Sequence, residues 1–180
     1  PTERIDVADE LVMVLSDIHI DEQGALTSPD SGGSTAMAFG HEGNHVLVNG
    51  RKRPDLVARL GAPQRWRIVN TAKSRYFKLD LGVGHVFRKI GGDGGLVEYS
   101  EDHDFIVLGA GERADVLVVP TGEPGGELLL HSQLYDRGFG STEFRDAEDL
   151  VAITIADMTP HVGGPLPETR RVIDPFTVEG

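Results

Sequence analysis

Seven histidines are the residues in this chain whose type could hold a metal or move a proton. His41 and His45 stand four apart, a spacing at which two imidazoles on one helical face share an ion. Gly40, Gly43 and Asn44 argue against a helix there, because glycine is a poor helix former. His19 has Asp17 and Asp21 beside it as oxygen donors. His85 follows Gly84, His131 falls in an apolar run, and His161 lies among prolines and glycines. His103 sits between Asp102 and Asp104, which would favour its charged form if the carboxylates are close. The chain has no cysteine. That excludes disulfides, thiolate nucleophiles and iron–sulfur ligation. It also excludes a blue-copper centre, which needs a thiolate beside two imidazoles. No His-x-His pair occurs, no Gly-x-Ser-x-Gly elbow, and no Lys-Ser/Thr after the glycines at Gly91–Gly95. The expectation is a chain with no catalytic residue, no cofactor and no metal of its own. His41 and His45 are the leading pair should a metal be held.

The elements that would carry these residues are short strands. Leu11–Leu15 reads LVMVL, a continuous apolar run that predicts a strand buried on both faces. Val46–Val48 closes in an Asn49-Gly50 turn, a hairpin signal. Leu56–Leu60 precedes Gly61-Ala62-Pro63. Trp66, Ile68 and Asn70 share one face of the next strand, and Phe77, Leu79 and Leu81 one face of the strand after it. Val86–Ile90, Phe105–Leu108, Val116–Val119, Leu128–Leu130 and Leu150–Ala156 complete about ten strands, with no convincing amphipathic helix. Two long loops interrupt the pattern, at 23–44 and 135–149. Met37 and Phe39 lie in the first, where they could line an entrance to a substrate pocket.

With 180 residues and 39% hydrophobic content, the chain is long enough for one domain with a real core. The net charge is -12. Residues 51–90 are the exception, with 11 basic residues against 2 acidic ones. There Arg65, Arg67, Arg75 and Lys78 roughly alternate with apolar residues. They predict a solvated or domain-facing side, not a nucleic-acid surface, because no stacking aromatics are interleaved. No apolar run reaches the ~20 residues of a membrane span, so no membrane partner is expected. The domain is expected over 1–158. Residues 159–180, rich in Pro and Gly, read as an extended linker toward a next domain. Val172, Ile173 and Phe176 in that linker also offer a route to a homo-oligomer.

Five phrases in order carry a family resemblance: VNG at Val48–Gly50, RWRIVNTA at Arg65–Ala72, GHVF at Gly84–Phe87, IGGDGG at Ile90–Gly95 and GERADVLV at Gly111–Val118. Each alone is weak, and together they resemble the middle cupredoxin-like domain of three-domain multicopper oxidases, the laccase-like enzymes. The resemblance implies an all-β, cupredoxin-like Greek-key β-sandwich or barrel. It implies a copper-free scaffold whose parent oxidises reducing substrates and reduces dioxygen to water, with copper held by the flanking cupredoxin domains, its partners. It also implies an exported parent, although no signal peptide is visible here. In that family the cluster ligands come as His-x-His pairs and a His-Cys-His tripeptide in the first and last domains, and both are absent from this chain.

Within the phrases, Asn70, His85, Asp93, Arg113 and Asp115 are expected to maintain the fold. Asp93 between glycines suits an Asx-type turn that accepts from the following backbone. Arg113 and Asp115, two apart on a strand, share a face and predict a structural ion pair there. A second reading stays open: a free-standing binding or interaction module of the same fold, without redox activity.

Overall fold

The computed structural model describes residues 9–28, 31, 33–139 and 147–157. The linker expected at 159–180 and most of the second long loop's far half lie outside the described residues.

Among the described residues, eleven strands form two sheets. The first sheet runs in the order β2-β1-β4-β9-β6-β7, from β1 (Asp9–Ile18), β2 (His45–Val48), β4 (Gln64–Asn70), β6 (Phe87–Gly92), β7 (Gly95–His103) and β9 (Arg113–Val118). The second runs β3-β11-β10-β5-β8, from β3 (Asp55–Arg59), β5 (Phe77–Asp80), β8 (Phe105–Leu108), β10 (Glu127–Gln133) and β11 (Glu148–Ala156). The chain passes from β4 to β5 in the opposite sheet, returns for the β6–β7 hairpin, and crosses again to β8 beside β5 before β9 pairs with β4. This nested crossing is the Greek-key connection of a β-sandwich.

Side-chain alternation explains the layers. Along β4 the residues Gln64, Trp66, Ile68 and Asn70 are buried while Arg65, Arg67 and Val69 face outward. Phe77 and Leu79 of β5, Phe87 of β6, Leu130 of β10 and Ile153 of β11 meet them in one core. At about 25 cal/mol per Å² of apolar surface, this shared burial is the main force closing the sandwich. Trp66 keeps its indole N–H satisfied by donating to Gln64 Oε1 at 3.1 Å.

Three sequence expectations are corrected. β1 is not buried on both faces: Met13 and Leu15 are inside, but Val12 is 55% exposed. Its outer face carries no covering layer among the described residues, so the apolar run hides an ordinary alternation. β7 was missed because its residues, GLVEYSEDH, are mostly polar and none is fully buried. Such a composition is what an edge strand tolerates. Finally, the first long loop contains a helix, α1 (Gly33–Phe39), seven residues long with none buried. It ends where Gly40 takes φ +81°, a left-handed value suited to glycine after a helix. A Cβ at Gly40 would also lie 2.3 Å from that of Ser74.

Candidate functional site

The polar chemistry gathers where the end of β1, the turn after α1 and the segment before β5 meet. Beyond β1 the chain turns through Asp21, whose Oδ1 accepts from Gln23 N and Ala25 N. It returns so that Ile20 bridges Leu26. Asn44 fastens this excursion, its side chain accepting from Ile20 N at 2.9 Å and donating to Ile20 O at 2.8 Å. Gly43 packs directly on Ile18, where a Cβ would come within 2.4 Å of the Ile18 carbonyl oxygen. His41 is thereby brought to His19, with Nε2 of His41 3.4 Å from Nδ1 of His19. Both rings line a cavity of about 210 Å³ that also includes Thr27, Ser28 and Lys73.

A buried ion pair supports this corner. Arg75 Nε donates to Asp17 Oδ2 at 3.2 Å, and their side chains are 4% and 5% exposed. Arg75 Nη2 also donates to Gly43 O, and Gly43 N donates to Asp17 Oδ2. Arg75 is therefore not part of a solvated face as its sequence neighbourhood predicted. Its guanidinium fork donates at once to a carboxylate and to a carbonyl, which compensates its burial on the approach to β5. A second buried pair joins Arg137 to Glu42 at 3.4 Å. Arg137 also donates to Ser74 O and Phe39 O, which ties the segment after β10 to the turn after α1.

The residues singled out from sequence fall as follows. His45 starts β2, and the ring that meets His41 belongs to His19 instead. The four-residue spacing is not on a helix, since α1 ends at Phe39. Met37 is 84% and Phe39 44% exposed, and Phe39 lies 6.4 Å from Phe139 between ring centres. Asn70 is fully buried at the end of β4. Its Nδ2 donates to Arg75 O and Leu108 O, and its Oδ1 accepts from Ala72 N. Half-buried His85 accepts from Thr121 N through Nε2 at 3.0 Å. Arg113 and Asp115 do not pair with each other. Arg113 Nε lies 3.1 Å from Asp93, whose Oδ1 accepts from Arg113 N instead of the backbone that follows it. Asp115 accepts from Arg65 through both carboxylate oxygens, with 2.8 Å from Nε to Oδ1. The Arg65–Asp115 and Asp17–Arg75 pairs escape a sequence reading because each is fixed by strand register or chain crossing over 50 or more positions.

Electrostatic shifts mark structural pairs. The forked hydrogen bonds that Arg65 donates to Asp115 raise the Arg65 pKa above its usual value, against the opposing effect of burial. Arg88 and Asp102 form a similar fork on the β6–β7 hairpin, at 2.7 and 2.8 Å. That bond raises the Arg88 pKa and lowers the Asp102 pKa. Asp102 is thus committed to Arg88, while His103 lies 3.7 Å from Glu101.

A two-sheet, Greek-key sandwich with these connections is a cupredoxin-like fold. The sequence profile of the multicopper oxidases matches residues 9–136. The chain belongs to the multicopper oxidase family. It is 28% identical to a laccase of Bacillus subtilis over 137 residues, which cover 72% of this chain and 26% of the relative. It is 34% identical to the cell division protein FtsP of Photorhabdus laumondii over 102 residues, 52% of this chain and 21% of that one. A solved multicopper oxidase from Campylobacter jejuni, described as a metallo-oxidase, superposes with a TM-score of 0.77 at 25% identity. That match takes in 97% of this chain and 35% of the oxidase. The chain therefore spans about a quarter of the length of the relatives matched by sequence and about a third of the solved enzyme.

The family name implies copper, and the residues present do not fit an electron-transfer copper. The sequence offers no thiolate. Among the described residues no three of His, Cys, Asp and Glu converge on a common point. Among the same residues no helix is long and apolar enough to cross a membrane.

Proposed function

We propose that this chain is the middle, spacer domain of a laccase-like oxidase and holds no electron-transfer copper. Its partners are the flanking cupredoxin domains, which it separates so that their facing surfaces share the copper. The parent oxidises reducing substrates one electron at a time and reduces dioxygen to water. Met37 and Phe39, both exposed, would be lent to the substrate entrance of the parent. The parent is exported, as the family resemblance implies.

The observation that supports this reading is the combination of near-complete coverage of this chain with 35% coverage of a solved multicopper oxidase. The test is the coding sequence on either side. A His-x-His motif upstream and a His-Cys-His motif downstream are the expected result. Flanks with neither motif would contradict it. They would favour the second reading, a binding or interaction module without redox activity. The match to a relative named for cell division rather than oxidation supports that alternative.

A further inference from the structure

The sandwich leaves an apolar corner uncovered where the turn between β5 and β6 meets the segment after β9. We infer that Val83, Val86 and Val119, with the Nδ1–H of His85 beside them, form the face on which the domain that follows this chain in its parent docks. The inference rests on the spacer reading and names the surface that such a role requires.

The turn shows its side chain instead of burying it. Gly82 and Gly84 take φ +73° and +90°, and Asp80 Oδ1 accepts from Gly82 N at 2.9 Å. Between the two glycines, Val83 is fully exposed. Val86 and Val119 are 38% and 41% exposed. Both line a cavity of about 220 Å³ together with His85, Leu117 and Thr121. His85 is shared with the neighbouring cavity that Val83 lines. Single exposed valines are ordinary, whereas a continuous apolar surface with a polar rim marks a contact site. Arg88 and Asp102, tied to each other, supply that rim. Valine is stiff at χ1, so ordering these side chains on docking costs little.

His85 adds a polar anchor. Its Nε2 accepts from Thr121 N, so the neutral ring carries its proton on Nδ1. No described residue accepts that proton. The partner therefore brings an oxygen acceptor beside an apolar ridge.

The course of the chain says what covers the corner. β11 ends at Ala156, whose carbonyl accepts from Leu60 N at 3.1 Å. The next residue, Gly61, donates to Pro120 O at 2.8 Å. Pro120 stands between Val119 and Thr121. Gly125 N also donates to Ile155 O, so the loop after β9 packs on the end of the last strand. A chain that continues past β11 thus starts out beside the valines. The structural match takes in 35% of the solved oxidase, so most of such a parent lies outside it. A domain tethered at this point meets the face at an effective concentration of about 1 mM.

The test is amide hydrogen exchange, read by mass spectrometry on the 180-residue chain and on its parent under the same conditions. The expected result is exchange roughly tenfold or more slower in the parent at residues 83–86 and 119–121. Val86→Asp combined with Val119→Asp in the parent should return both segments to the rates of the chain alone. Equal rates in the chain and the unaltered parent would overturn the inference. So would protection that survives both substitutions. The first comparison uses no variant, so a variant that fails to fold does not remove the test. Failure of the spacer reading has a separate signature: flanks without the copper motifs, whatever the exchange rates. A coding sequence with no domain after this chain would remove both.

Discussion

Asn70 makes three hydrogen bonds from inside the core. It donates to two carbonyls, accepts from one backbone N–H and is fully buried at the junction of β4 with the segment leading to β5. Asn70→Ala removes all three bonds and leaves two carbonyls and an amide N–H without that partner. Each buried polar group so stranded costs about 1–3 kcal/mol. Urea denaturation should show a loss of about 2–4 kcal/mol, and a loss below ~1 kcal/mol would contradict the assignment. Asp102 behaves differently because both it and Arg88 are more than 40% exposed. Its folded pKa is lowered. Its contribution is thus fully present above the unfolded carboxylate value near ~3.9 and disappears as pH falls through the lower folded value. Solvent screening keeps that contribution to about 0.5 kcal/mol or less. The stability gap between the unaltered chain and Asp102→Asn should therefore hold from pH 7 to pH 5 and close in stronger acid. A gap of undiminished size at pH 2 would show that the ion pair is not its source.

At the scale of elements, β4 organises the first sheet. It pairs with β1 on one side and β9 on the other, and Trp66 from its inner face reaches the centre of the core. Trp66→Ala should cost about 3–5 kcal/mol through lost burial and the cavity left behind. Gly43→Ala acts on a different junction. Its new Cβ would press on the Ile18 backbone, so β1 and the turn after α1 must separate. Thermal unfolding should register a clear drop in Tm for Gly43→Ala. An unchanged Tm would mean that this close approach is dispensable.

Much of this level was legible in the sequence. Alternation along Trp66, Ile68 and Asn70 gave the inner face of β4, and Asn49-Gly50 marked a true turn, with both residues at positive φ. β7 was hidden because an edge strand such as GLVEYSEDH has no buried face to impose a period. α1 was hidden because seven residues, none of them buried, leave no apolar stripe. The meeting of His19 with His41 was out of reach for another reason: it depends on how Asn44 and Gly43 close the chain on β1. No local pattern reports that closure.

For the whole molecule, the family is secure and the division of labour is the point at issue. The chain spans roughly a third of a solved multicopper oxidase and brings no thiolate. On the proposed reading, the sandwich supplies spacing and surface, and the redox chemistry belongs to the rest of the parent. The most direct measurement is dioxygen uptake in the presence of copper and a one-electron donor. It should be recorded for the 180-residue chain and for the parent that contains it. The parent should consume dioxygen and this chain should consume none above the copper blank. Sustained, protein-dependent uptake by the chain alone, or none by the copper-loaded parent, would contradict the account.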